Sequence, residues 1–74
     1  MPSMTGKAAL KMLKGLGWEV DHIKGSHHYI RHPDYPELGQ GCVPIHGNED
    51  LSRKVFFILR KLIRDTEAKI QSDE

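Results

Sequence analysis

The sequence predicts an α+β domain in which two helices cover one face of a three-stranded antiparallel sheet. Three observations predict it. Apolar residues recur at helical spacing near each end of the chain, three short alternating segments separated by turn signals lie between them, and 74 residues suffice for one small core. All 74 residues are expected to form one domain, with a globular part over about 5–64. A core of this size supplies only roughly 3–5 kcal/mol of net stability, so a tight partner would help.

The first helix is expected from Thr5 to Leu16. Ala9, Met12, Leu13 and Leu16 follow the i, i+3, i+4, i+7 pattern, with Lys7, Lys11 and Lys14 opposite. Thr5 suits the N-cap because its hydroxyl accepts an orphan amide, and Gly17 suits C′ because it enters the left-handed region. Trp18 to Ile23 then reads as a strand with Trp18 and Val20 on its core face, His22 sharing their parity, and Ile23 leaving the pattern. Lys24-Gly25-Ser26 is a turn, and His27 to His32 returns as the second strand until Pro33 removes a ladder donor.

Residues 33–39 form an acidic loop interrupted by Pro33 and Pro36. Gln40 to His46 is the third strand, confined by Pro44 to a sheet edge or a strand end. After Gly47 the second helix is expected to begin near Leu51, capped by Asp50 or Asn48. Its stripe is Leu51, Val55, Ile58, Leu59 and Leu62; Phe56, Phe57 and Ile63 widen the apolar sector, and Arg53, Arg60, Lys61 and Arg64 lie opposite. The acidic stretch 65–74 has little to bury and is expected to be a helical extension or disordered. The order helix, strand, strand, strand, helix suits a two-layer arrangement of the double-stranded-RNA-binding type, which leaves one sheet face open.

Composition narrows the function. A single thiol, Cys42, allows no internal disulfide and speaks against a structural zinc site, and there is no run of about 18 apolar residues; a cytoplasmic setting is expected. The formal net charge of +1 hides blocks. Residues 51–64 carry Arg53, Lys54, Arg60, Lys61 and Arg64 without an acid, whereas residues 33–50 carry Asp34, Glu37, Glu49 and Asp50 without Lys or Arg. Brought together with the lysines near the N-terminus, the basic segments would make a face for a polyanion; separate solvated helix faces would give the same pattern.

Three of the five histidines lie in GSHHYIRHP. Alternation puts His27, Tyr29 and Arg31 on one strand face and His28, Ile30 and His32 on the other, and Ile30 marks the core side. An imidazole, a phenol and a guanidinium on an open face suit RNA cleavage by 2′-hydroxyl attack, in which a group titrating near neutrality moves protons and a cation stabilises the phosphorane. Tyr29 as a cross-strand packing residue and Arg31 as a rim cation would leave the same spacing. A metal held by His28 and His32, or by His27 and His46, is disfavoured: no carboxylate or thiol sits at ligand spacing, and i, i+4 in a strand is too far for one ion. Neither a metal nor another cofactor is expected.

The segment GWEVDHIKGSHHYIRHP, then VPIHGNEDL and a basic amphipathic helix, resembles the HicA (YcfA-like) toxin family of toxin–antitoxin systems over about Thr5 to Ile63. The resemblance implies a small mRNA interferase whose catalytic histidine directly follows Gly-Ser, here His27 after Gly25 and Ser26, with His28 as second choice. It also implies an mRNA substrate and a HicB antitoxin that covers the active face in a toxin–antitoxin hetero-oligomer. Lys24, Gly25, Ser26, Tyr29, Arg31, Arg53 and Lys54 are the expected RNA contacts, Tyr29 and Arg31 on strand geometry alone. The acidic 33–39 loop and the acidic tail have no counterpart in the family pattern. Two other readings fit the same residues: a non-catalytic RNA-binding module with Arg53 and Lys54 opening its last helix, and an interaction protein docking through Phe56 and Phe57.

Overall fold

The computed structural model describes residues 3–73. Helix α1, Gly6–Gly15, starts where expected, with the Thr5 hydroxyl accepting from the Ala8 amide at 3.1 Å. It ends in a Schellman motif: the Trp18 amide donates to Leu13 O and the Gly17 amide to Lys14 O, both at 3.0 Å, with Gly17 at φ +100°. Its buried face is Gly6, Ala9, Leu10 and Leu13, not the stripe through Met12, which is 47% exposed. Both stripes share one period. The phase is set by Gly6, whose missing Cβ lets α1 approach the Pro44 carbonyl and Ile45.

Strands β1, Glu19–Lys24, and β2, His27–Arg31, form an antiparallel hairpin, and β3, Gly41–Pro44, pairs antiparallel with β2. The sheet order is β1-β2-β3, so β3 is the edge strand that its proline requires. The β1–β2 turn is Gly25-Ser26, with positive φ at Gly25 only, the two-residue geometry of a type II′ turn. The register runs Val20↔Ile30 and then His22↔Tyr29, so Asp21 is bulged. This corrects the expected parity: His22 leaves the Trp18/Val20 face and joins Tyr29. Ile23 turns to the side of His28, beyond the cover of the helices, and stays 59% exposed.

Helix α2 is Arg53–Ser72. Its cap is Ser52, whose hydroxyl accepts from the Val55 amide at 3.3 Å, and not Asp50 or Asn48. Asp50 instead bridges to Thr5, and the buried Leu51 precedes the helix, its amide donating to Met4 O at 2.8 Å. The buried stripe is Phe56, Leu59, Ile63 and Thr66, with Val55 and Leu62 half-buried; Ile58 and Phe57 face outward. The stripe joins Ala9, Leu10, Leu13, Trp18, Ile30 and Val43 in one core between the helices and one sheet face. Gly41 on β3 leaves the gap into which Leu62 fits.

The helix does not stop near Arg64, because residues beyond it have partners. Thr66 is fully buried; its hydroxyl accepts from the Trp18 indole N–H at 2.9 Å and donates to Leu62 O at 2.7 Å. The acidic loop, which includes a 3-10 turn at Pro36–Leu38, docks on the same stretch through a 2.8 Å Lys69–Glu37 ion pair. The Lys69 ammonium, with the Glu37 amide adding to it, holds the Glu37 carboxyl below its usual range. Hydrogen bonding to Asp73 is the first cause that raises the Tyr35 phenol above its usual value. The tail and the loop left unexplained by the sequence thus hold each other.

Candidate active face

Both helices start at the hairpin-turn end of the sheet. Gly6 opens α1 beside Pro44, which is paired with His27, and Ser52 opens α2 next to Leu51, bonded to Met4. At the opposite end His32 bonds Leu16 O, at the C-cap of α1, at 2.8 Å, and Trp18 bonds Thr66 in the second half of α2. The positive ends of two helix dipoles therefore lie at the same end of the sheet as the turn that carries Lys24, Gly25, Ser26 and His27. Lys24, Arg53 and Lys54 are exposed and form no ion pair among the described residues. Asp50 and Glu49, close by in the chain, temper that positive potential.

The open face carries the β2 side chains that alternation assigned to it. His27 and Arg31 are exposed, and Tyr29 is half-buried opposite Cys42. The His27 and Tyr29 rings are 6.3 Å apart between centroids, tilted at 54°. Arg31 is not a free cation: its Nη2 lies 3.8 Å from Glu19 Oε1 and its Nε 3.7 Å from Asp21 Oδ1. These pairs are long and solvent-exposed, hence weak and readily exchanged for a phosphate.

His28, the next residue, lies in the other layer. It is half-buried between Ile23 and Val43 in the register, and its Nδ1 is 3.2 Å from Ser26 O. A carbonyl only accepts, so Nδ1 carries the proton and Nε2 is left as the acceptor. The same Ser26 oxygen accepts from the Ile45 amide at 2.9 Å. His32 is structural: buried, it donates through Nε2 to Leu16 O and accepts at Nδ1 from the Asp34 amide, edge-on to Trp18. Both of its nitrogens are occupied, and no three His, Cys, Asp or Glu side chains among the described residues are placed to hold a metal.

Two residues of this face escaped the sequence reading. The bulge turns His22 toward Tyr29, where the rings stack at 4.5 Å and 13°, and His22 Nδ1 lies 3.0 Å from Asp21 Oδ2. The sequence held a signal for this: a histidine on the core parity followed by an isoleucine on the wet parity marks a one-residue reset of the alternation.

The layers and the placement of the side chains define a class, a small α+β protein of α-β-β-β-α order that keeps one sheet face open for its polar and titratable groups. A family model described as the HicA toxin of bacterial toxin–antitoxin matches residues 6–67, from the first residue of α1 to one residue past Thr66. The chain belongs to the HicA toxin family, and membership of a toxin–antitoxin family suggests an antitoxin partner. No curated protein and no solved structure matches it. Among the described residues, no helix is long and apolar enough to cross a membrane.

Proposed function

We propose that this chain is an mRNA interferase, an endoribonuclease in which His27 is the general base and no metal takes part. The observation that carries the reading is the position of His27: exposed on the open sheet face, at the end of the sheet where two helices begin, with Lys24, Arg53 and Lys54 exposed and without an ion pair among the described residues. In a HicA toxin this end attracts a polyanion and offers it a proton acceptor. His27 takes the proton of an RNA 2′-hydroxyl, O2′ attacks the adjacent phosphorus and the 5′-oxygen leaves. Lys24, Arg53, Lys54 and the backbone of Gly25 and Ser26 hold flanking phosphates, while Arg31 exchanges its carboxylates for the reacting one. Tyr29 fixes the imidazole from the side. A HicB-type antitoxin neutralises the toxin by covering this face, in a cytoplasmic hetero-oligomer.

His28 is the second candidate, because Ser26 already orients its ring. Incubating the purified chain with a mixed transcript in EDTA tests the reading. The parent cleaves, and His27→Ala, folded by circular dichroism, loses about 10²–10⁴-fold in rate. Undiminished cleavage by His27→Ala sinks the assignment, and loss in His28→Ala alone moves it one residue along. Salt-dependent RNA binding without cleavage by the parent makes the chain a binding module instead.

A further inference from the structure

A bulge is an expensive way to place one side chain, and the one at Asp21 places His22 in a specific setting. The ring lies against the phenol of Tyr29, 4.5 Å between centroids, and its Nδ1 meets the Asp21 carboxylate at 3.0 Å. A carboxylate accepts, so Nδ1 carries the proton and the ring is held with Nε2 turned away from Asp21. Arg31 Nε sits 3.7 Å from the other oxygen of the same carboxylate. His27 flanks Tyr29 as well, at 6.3 Å, so the two imidazoles lie within about 11 Å of each other on one face. Two hydrogen bonds of roughly 2.6–3.2 Å with a phosphodiester between them span such a gap.

From this arrangement we infer that His22 is a second catalytic residue, the general acid that protonates the leaving 5′-oxygen, with Asp21 as its positioning residue. The inference rests on the ribonuclease reading above and deepens it. Neutral His27 accepts the 2′-hydroxyl proton as the O2′–P bond forms. As the P–O5′ bond breaks, its electron pair takes the proton from His22 Nε2, leaving a 2′,3′-cyclic phosphate and a 5′-hydroxyl. Each imidazole then returns to its starting state by exchange with water. A residue that only stacks or only binds phosphate would not depend on how basic the leaving group is.

That dependence supplies the test. His22→Ala is assayed on an RNA with an ordinary 5′-oxygen at the scissile bond and on one with sulfur there, because a thiolate leaves without a proton. With the ordinary substrate the variant is expected to be about 10²–10⁴-fold slower than the parent, and with the sulfur substrate nearly as fast, whereas His27→Ala stays slow on both. His22→Ala matching the parent on ordinary RNA overturns the inference and leaves the ribonuclease reading standing. Equal slowing on both substrates also overturns it, assigning His22 to binding. A parent that cleaves neither substrate overturns both readings.

Discussion

The hydrogen bond between Trp18 and Thr66 is the most exposed point of the fold to a single conservative change, because the two buried partners are 48 positions apart and the Thr66 hydroxyl is the one acceptor of the indole N–H among the described residues. Thr66→Val keeps the shape and removes the acceptor. The Leu62 carbonyl, which loses the Thr66 hydroxyl, keeps its own helical amide partner. The indole N–H at a residue 2% exposed is left with none, at a cost of about 1–3 kcal/mol. With net stability of roughly 3–5 kcal/mol for a domain of this size, that is about a fifth of the total or more, and at ~4–8 °C per kcal/mol the Tm falls on the order of 10 °C. Urea unfolding followed by circular dichroism and by the fluorescence of Trp18, the one tryptophan, measures it. Thr66→Ser is the control: it keeps the hydroxyl and loses one methyl, about 0.8 kcal/mol. A Thr66→Val protein as stable as Thr66→Ser would refute the claim that the hydroxyl, and not the packing, holds the second half of α2.

Gly17→Ala should lose about 1–3 kcal/mol in thermal melts, since alanine at φ +100° is strained and its Cβ would stand 2.7 Å from His32 Nε2; an unchanged Tm would contradict this. The Lys69–Glu37 pair gives stability a pH dependence of known sign. Its carboxyl is lowered from 4.5 in the folded chain, so its contribution is present above that value and lost as pH falls through the depressed one. Melts of Glu37→Gln should therefore show a deficit against the parent at pH 7 that disappears in acid, and a deficit persisting at low pH would mean that the carboxylate is not its source.

Much of this was readable in the residues because local chemistry decides it. A hydroxyl before a helix, a glycine after one, a proline in a strand and strict alternation around Ile30 located the Thr5 cap, the Gly17 terminus, the edge position of β3 and the open-face trio of β2. What failed needed knowledge of the opposing surface. Leu10 and Met12 fit equally periodic stripes, and only the contact of Gly6 with Pro44 chooses between them. Asp50 caps helices as well as Ser52 does, but its bridge to Thr5 removes it. The tail looked idle because the partners of Thr66 and Lys69, Trp18 and Glu37, are far away in sequence. In the candidate site, His22 was hidden by a bulge that exists only because β1 must pair with β2.

The two-residue turn at Gly25-Ser26 puts neighbouring imidazoles in different layers, His27 in solvent and His28 beneath the sheet. The length of that turn therefore stores functional information that no side chain does. A one-residue insertion of glycine there, if the strands re-paired by one step, would exchange the two histidines while leaving the charge and every existing side chain in the chain. For this protein, tolerance to insertion and deletion is a sharper probe of the candidate active face than tolerance to substitution, and variation among natural or engineered HicA toxins should be compared by turn length before residue identity.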